Sequence, residues 1–327
     1  METVPSRAAP TLASGTPIIE MRGLVKRYGA IEAVAGIDLV VNSGEIFGIL
    51  GPNGAGKTTT LEMIEGLRIP DAGTIHVAGH DAVRESGAVR RIIGVQLQTT
   101  ALFDYLTASE LISLFAGLYD VPAPPERVDA LLRLVGLTEK PRARVNTLSG
   151  GQKQRLSIAL ALVNQPRVVF LDEPTTGLDP QARRMMWETI RGVRAAGATV
   201  VLTTHYMEEA ETLCDRVAIM DRGRIIALDT PAALIRGLNM AATIQTRAAP
   251  GTLSAAVLAT LPNVTETDLV PESPQSDLLR LRTTDAQTTL IGLLDLATRQ
   301  NVTLTDLGST QANLEDVFLS LTGRTYE

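Results

Sequence analysis

The run EIFGILGPNGAGKTTTLEMIEGL, starting at Glu45, constrains the fold more than any other stretch of the chain. Its apolar opening reads as a buried strand and its close as a helix. Between them Gly51, Gly56, Lys57 and Thr58 fit the spacing G-x-x-x-x-G-K-[ST]. Glycines let backbone N–H groups turn inward around anionic oxygens, and the helix N-terminus adds partial positive charge. The spacing therefore predicts a phosphate-cradling loop, with Lys57 on the β- and γ-phosphates and the Thr58 hydroxyl offered to Mg²⁺. A strand–loop–helix unit of this kind belongs in an α/β layered fold.

Two further apolar strands end in polar groups. RVVFLDEPTTGLDP closes a strand with Asp172 and Glu173. Mg²⁺ takes hard oxygen ligands, which suits Asp172, while Glu173 suits orienting or deprotonating a water aimed at phosphorus. ATVVLTTHYMEEAE ends a strand at His205, either a satisfied structural histidine or a γ-phosphate contact. Asp179 before Pro180 reads as a helix N-cap with proline at the first helical position. Tyr28 can stack on adenine or simply pack.

NTLSGGQKQRLSIALAL, from Asn146, predicts an amphipathic helix with Leu156, Ala159, Leu160 and Val163 on one face and a capping box from Ser149 to Gln152. Gly150 and Gly151 sit oddly in its first turn. Each costs up to about 1 kcal/mol relative to alanine. Something must need bare backbone there.

The 327 residues allow one large domain and a smaller one. The longest apolar run, residues 158–163, is far below the roughly 20 residues of a membrane-spanning helix. No signal-peptide core precedes it, and residues 1–17 are expected to be a disordered N-terminal extension. One cysteine, Cys214, excludes an internal disulfide, and three histidines make a multi-histidine metal site unlike this chain. A net charge of −6 argues against a nucleic-acid surface.

Strand-like runs occupy residues 18–50, and helix and strand patterns then alternate to about Ile226. Residues 107–148 between them read as almost wholly helical, with a Thr107–Glu110 capping box and a second helix from VPAPPERV to Gly136. After about Gly237 the texture changes. AATIQTR, DLLRLRT and NVTLTDL read as strands, separated by helices near residues 253–261 and 287–299, and ANLEDVFLSL as a last helix. This is a small α+β domain over residues 238–327.

Taken together, these motifs resemble the nucleotide-binding subunit of an ABC transporter over residues 18–237. The resemblance rests on the Walker A run at residues 51–58, the signature LSGGQ at residues 148–152, the Walker B run ending in Asp172 and Glu173, the D-loop GLD at residues 177–179, and the switch histidine His205, in that order. It implies a P-loop ABC ATPase domain with an antiparallel β subdomain, a mainly parallel core sheet and a helical subdomain at about residues 98–148. Its nucleotide contacts would be Tyr28, Gly51, Pro52, Asn53, Gly54, Ala55, Gly56, Lys57, Thr58 and Thr59, with Glu173 and His205 catalytic. Metal contacts would be Thr58, Asp172 and the Q-loop glutamine, taken as Gln98 with Gln96 as the rival register, since Leu97 stands where the family has proline.

The resemblance also answers the glycine question. In the family two subunits pack head to tail, so Leu148, Ser149, Gly150, Gly151 and Gln152 would approach the γ-phosphate held by a partner, with Asp179 nearby. FLDEPTTGLDPQARR and NLEDVFLSLTGR resemble the type-2 exporter branch, which includes the daunorubicin-resistance-type ATPases. The expected protein is a homodimer using ATP and Mg²⁺ on the cytoplasmic side of the cell membrane. It would drive a separate membrane permease subunit that exports a drug, lipid or polysaccharide. The alternative is a soluble, non-transport ABC ATPase acting as a switch.

Overall fold

The computed structural model describes residues 15–96, 102–238 and 240–323. The chain divides into two compact units, Met1–Pro231 and Ala232–Glu327, where the sequence suggested a change near Gly237. Of the expected N-terminal extension, residues 1–14 lie outside those described, and Pro17 already pairs with Asn42.

The first unit opens with β1 (Pro17–Tyr28) and β2 (Ile31–Asn42), an antiparallel hairpin turning at Gly29 with φ +58°. There follow β3 (Ile46–Leu50), α1 (Lys57–Ile64), β4 (Ala72–Val77), β5 (His80–Asp81), α2 (Ser86–Ile92) and β6 (Ile93–Gln96). The helical segment holds α3 (Ala108–Leu118), α4 (Pro125–Leu134) and a 3₁₀ turn (Val145–Thr147). The chain then returns through α5 (Gly150–Ala161), β7 (Val168–Asp172), α6 (Pro180–Ala195), β8 (Thr199–Thr204), α7 (Met207–Leu213), β9 (Arg216–Asp221) and β10 (Arg224–Asp229), and α8 (Pro231–Arg236) starts at the boundary and continues into the second unit.

Two sheets result. One is antiparallel, in the order β2-β1-β4-β5; the other runs β10-β9-β3-β8-β7-β6, parallel except at the β10 edge. Every residue of β3, β7 and β8 is buried, which fits their continuous apolar runs: a parallel sheet is covered on both faces. One core joins the sheets, with Ile19, Met21 and Leu39 packed among Phe47, Ile49, Phe170 and Val201. Each such side chain contributes about 1.5–3 kcal/mol on burial. The C-terminal ends of β3, β7 and β8 thus become a rigid rim for polar groups.

The helical segment is capped as its sequence suggests. Thr107 Oγ1 accepts from the Glu110 N–H at 3.2 Å while Glu110 Oε2 accepts from the Thr107 N–H at 2.8 Å. Pro125 opens α4, where its missing N–H costs nothing.

Helix α5 departs from expectation. Its capping box is present, but every residue from Arg155 to Ala161 is buried, so it is not amphipathic beyond its first turn. It is enclosed by α3, α4, α6 and β6. Gly94 makes the last contact: a Cβ there would lie 1.9 Å from the Ala161 carbonyl oxygen.

The second unit contains β11 (Ala242–Ala248), α9 (Ala255–Leu258), β12 (Val264–Ser273), β13 (Ser276–Thr283), α10 (Ala286–Arg299), β14 (Thr305–Gln311) and α11 (Leu314–Thr322). Its antiparallel sheet runs β12-β13-β11-β14, the split βαββαβ arrangement of ferredoxin-like folds. Ile244, Leu279, Leu281, Leu258 and Leu293 form its core. Strand β12 was not expected from the residue pattern; it is an edge strand carrying Pro271 and is held by pairing with β13. The last strand also lies later than expected. Val302 and Leu304 pack on the core, whereas β14 itself is exposed throughout and is held by backbone pairing to β11.

Candidate active site

The rim of the central sheet holds a cleft of about 740 Å³ lined by Tyr28, Ala33, Asn53, Gly54, Gly56, Lys57, Thr58, Thr59, Glu173, Thr176 and His205. Residues chosen from four separate stretches of sequence meet there. The floor is the loop between β3 and α1, and its glycines are required by backbone geometry. A Cβ on Gly51 would sit 2.3 Å from the Met220 carbonyl oxygen, and one on Gly56, at φ +101°, 2.3 Å from that of Ala33. Gly56 is also the N-cap of α1, so the first-turn N–H groups of that helix open onto the loop.

Lys57 is 5% exposed; its Nζ donates to the Gly51 carbonyl at 2.7 Å and lies 3.6 Å from Glu173 Oε1. Burial lowers its pKa from the ordinary lysine value, and Glu173 opposes that shift. Beside it the Thr58 hydroxyl lies 3.2 and 3.3 Å from the two Asp172 carboxylate oxygens. Asp172 also accepts from the Thr203 hydroxyl. A hydroxyl and a buried carboxylate, both hard oxygen donors at one point of the rim, fit Mg²⁺ with its remaining places left to phosphate and water.

Glu173 follows directly and adopts φ +48°, a conformation few non-glycine side chains accept. Such strain costs of order 1–3 kcal/mol and needs support. Its N–H supplies that support by donating to the Thr203 carbonyl at 3.2 Å and to Thr203 Oγ1 at 3.0 Å. The side chain is thereby turned into the cleft, where Thr176 Oγ1 donates to Oε2 at 3.1 Å and His205 Nδ1 lies 3.3 Å away. Burial raises the Glu173 pKa, but His205, Lys57 and Thr176 together outweigh it and hold the carboxyl below the ordinary value.

Tyr28 is 40% exposed at the mouth of the cleft, with the Arg68 guanidinium 5.3 Å and Lys26 Nζ 5.8 Å from its ring centre. Gly51, Pro52 and Ala55 belong to the loop without lining the cleft, and Ala55 is buried. Gln98 lies outside the described residues. Gln96 ends β6, buried, level with Leu171 on β7.

The signature residues stand apart: Leu148, Ser149, Gly150, Gly151 and Gln152 are not among those lining the cleft. Ser149 caps α5, accepting from the Gln152 N–H at 3.4 Å, and Asp179 caps α6, accepting from the Ala182 N–H at 2.8 Å. The two glycines differ. A Cβ on Gly150 would meet no atom within 4 Å, whereas one on Gly151 would lie 3.1 Å from Ala182 Cβ. Packing within the chain accounts in part for Gly151 and not at all for Gly150.

Sequence reasoning missed Thr203, Thr176 and Ala33, which hold the site in place. Thr203 left one trace, a hydroxyl inside an apolar strand. It also missed Glu65 at the end of α1, 2% exposed, whose pKa burial pushes up to about 8 with help from Asp172 and Glu62.

The ABC transporter family model matches residues 34–176. Nod factor export ATP-binding protein I of Ralstonia nicotianae is 40% identical over 94% of this chain and 95% of its own. Daunorubicin resistance ATP-binding protein DrrA3 of Streptomyces coeruleorubidus is 40% identical over 93% and 96%. Among solved structures, a dimeric post-hydrolysis ATP-binding cassette bound to ADP and Pi is 28% identical with a TM-score of 0.58, over 65% of this chain and 98% of that one. The solved cassette covers about two thirds of the chain, and the two sequence relatives extend the likeness over nearly all of it. The chain therefore belongs to the ABC transporter family, as one of its ATP-binding, ATP-hydrolysing proteins.

Proposed function

We propose that this chain is the ATPase subunit of an ABC exporter, peripheral on the cytoplasmic side of the cell membrane. It works as a head-to-tail homodimer that drives a separate integral-membrane permease subunit. The observation that carries the reading is the meeting of Lys57, Glu173 and His205 beside the Thr58–Asp172 oxygens, at contacts of 3.2 to 3.6 Å. Two close relatives are named for export and for drug resistance, which favours export over a soluble switch. Among the described residues no helix is long and apolar enough to cross a membrane, in keeping with a separate permease.

The chain's groups divide the work. Tyr28 offers its ring to the adenine, while the loop N–H groups and Lys57 take the β- and γ-phosphates. Thr58 and Asp172, with Gln98 as the proposed Q-loop glutamine, would hold Mg²⁺, which supplies charge neutralisation on the phosphates. Glu173, ionised at neutral pH, orients a water and accepts its proton on a carboxylate oxygen. His205 holds that carboxylate on one side and faces the γ-phosphate on the other.

Ser149, Gly150 and Gly151 of one chain close the site of the other, which makes two equivalent sites from one isologous interface. Phe103, Tyr105 and Leu118 of the helical segment are exposed at 57, 80 and 71% and are the proposed contacts for the permease. The test is purification of the tagged full chain from membranes of its own cells. A polytopic membrane protein recovered in near-equal amount is expected; recovery of the chain only in soluble form contradicts export.

A further inference from the structure

His205 carries a second contact besides that with Glu173. Its ring centre lies 4.1 Å from that of Tyr206, with the planes tilted by 42°. The Arg183 guanidinium lies over the Tyr206 ring, 4.6 Å from its centre. Arg183 also acts by charge on the buried Glu209 carboxylate, whose burial-raised pKa it helps to lower. Its Nε is buried with no hydrogen-bond partner, and Nη1 reaches Glu208 only at 3.9 Å, where a largely exposed carboxylate gives a weak pair. A guanidinium over the face of an aromatic ring is attracted to it, so the contact ties Arg183 to Tyr206.

The position of Arg183 gives the arrangement its meaning. It lies in the first turn of α6, where its N–H donates to the carbonyl of Asp179 at 2.9 Å. The same Asp179 carboxylate caps the helix, so the loop before α6 and Arg183 move together. Tyr206 is fixed at the end of β8 by its N–H, which donates to Thr204 Oγ1 at 2.9 Å. One turn further along α6, Trp187 Nε1 donates to Glu209 Oε1 at 3.2 Å, and this bond already clips α6 to α7. Joining those helices does not need Arg183.

We propose that Arg183 is a positioning residue for hydrolysis: its guanidinium fixes the Tyr206 ring, the ring braces the His205 imidazole, and His205 is thereby kept aimed at Glu173 and the phosphate. The contact makes the aim of His205 depend on the place of the loop before α6. The inference rests on the reading of His205 as the group that faces the γ-phosphate.

Only three histidines occur, His76, His80 and His205, so their imidazole ¹⁵N and ¹H resonances can be assigned in the full chain with His205→Gln as reference. Tyr206 should shift the His205 signals by its ring current. Arg183→Met and Tyr206→Leu should each move those signals and leave the other two histidines unchanged, while Tyr206→Phe keeps them near their original place. In steady state Arg183→Met should lower kcat by about five- to tenfold with KM changed less than about twofold, and Arg183→Lys should recover part of the loss. Unmoved His205 signals in Arg183→Met and Tyr206→Leu overturn the proposal. So does a fall in kcat that merely tracks a fall in melting temperature. If His205→Gln keeps full turnover, the reading of His205 fails first and takes the positioning role with it. If His205→Gln is inactive while Arg183→Met is unimpaired, only the positioning role fails.

Discussion

Gly150→Asp separates the two explanations for a glycine in the first turn of α5. Within the chain the new side chain has open space, since a Cβ at this position meets no atom within 4 Å. At the first helical position a carboxylate is favoured by the helix dipole and glycine is a poor helix former, so stability should change by less than about 1 kcal/mol, in either direction. Against a partner's γ-phosphate the same carboxylate is repelled. Two like charges about 4 Å apart, at an effective dielectric near 20, repel by about 4 kcal/mol, roughly a thousandfold in closure. The assay combines melting temperature, ATP affinity by calorimetry and steady-state hydrolysis. Unchanged melting and affinity with turnover reduced by two orders of magnitude or more are expected. Mixing with Lys57→Ala should then restore part of the activity, because a mixed dimer holds one composite site with both halves intact. Full turnover of Gly150→Asp alone refutes the reasoning. Gly151→Asp is a less clean test, since its side chain first meets Ala182 of its own chain.

Lys57→Ala removes a buried cation from the phosphate loop, and calorimetry should show ATP affinity lowered at least about tenfold with the fold retained; equal affinity would contradict the loop's role. Tyr105→Lys, at a side chain 80% exposed, should leave ATPase activity of the isolated chain intact but reduce recovery of the permease on purification from membranes; undiminished recovery counts against docking there. Glu65 gives a pH test. Its pKa in the fold is raised from 4.5 to about 8, so the folded chain keeps a proton that the unfolded chain has lost. Stability therefore falls as pH rises between those values, by at most about 1.4 kcal/mol per pH unit for one proton. Glu65→Gln should flatten that slope in melting experiments at several pH values, and parallel curves for the two proteins would refute the assignment.

The parts of the site legible in the sequence are those where chemistry dictates residue type at fixed spacing. Gly51, Gly56 and Lys57 could be read because a backbone cradle tolerates no Cβ, and both glycines do face carbonyl oxygens at 2.3 Å. Asp172 and Glu173 could be read because two acids end an apolar strand. The strained backbone of Glu173 left no such mark, since nothing about a glutamate announces φ +48°. Its support from Thr203 depends on two strands lying side by side, which the linear order of residues does not display. The second unit follows the same rule. Strands β11 and β13 alternate buried and open residues and were found, whereas β12 and β14 sit at sheet edges, where backbone pairing rather than side-chain pattern sets the structure. Helix α5 looked one-sided because small and polar residues such as Ser157 break its apolar run, although neighbours enclose it on every side.

Sedimentation of Glu173→Gln with and without ATP and Mg²⁺ tests the account most directly, because it asks at once whether the carboxylate performs hydrolysis and whether the site needs two chains. Removing a general base should lower turnover by about a hundredfold or more while leaving the phosphate cradle intact. The account predicts that this variant binds ATP, hydrolyses almost none of it, and shifts from monomer to dimer mass only when nucleotide is present. A variant that turns over ATP at the rate of the unmodified chain, or that binds ATP and remains a monomer, would contradict it.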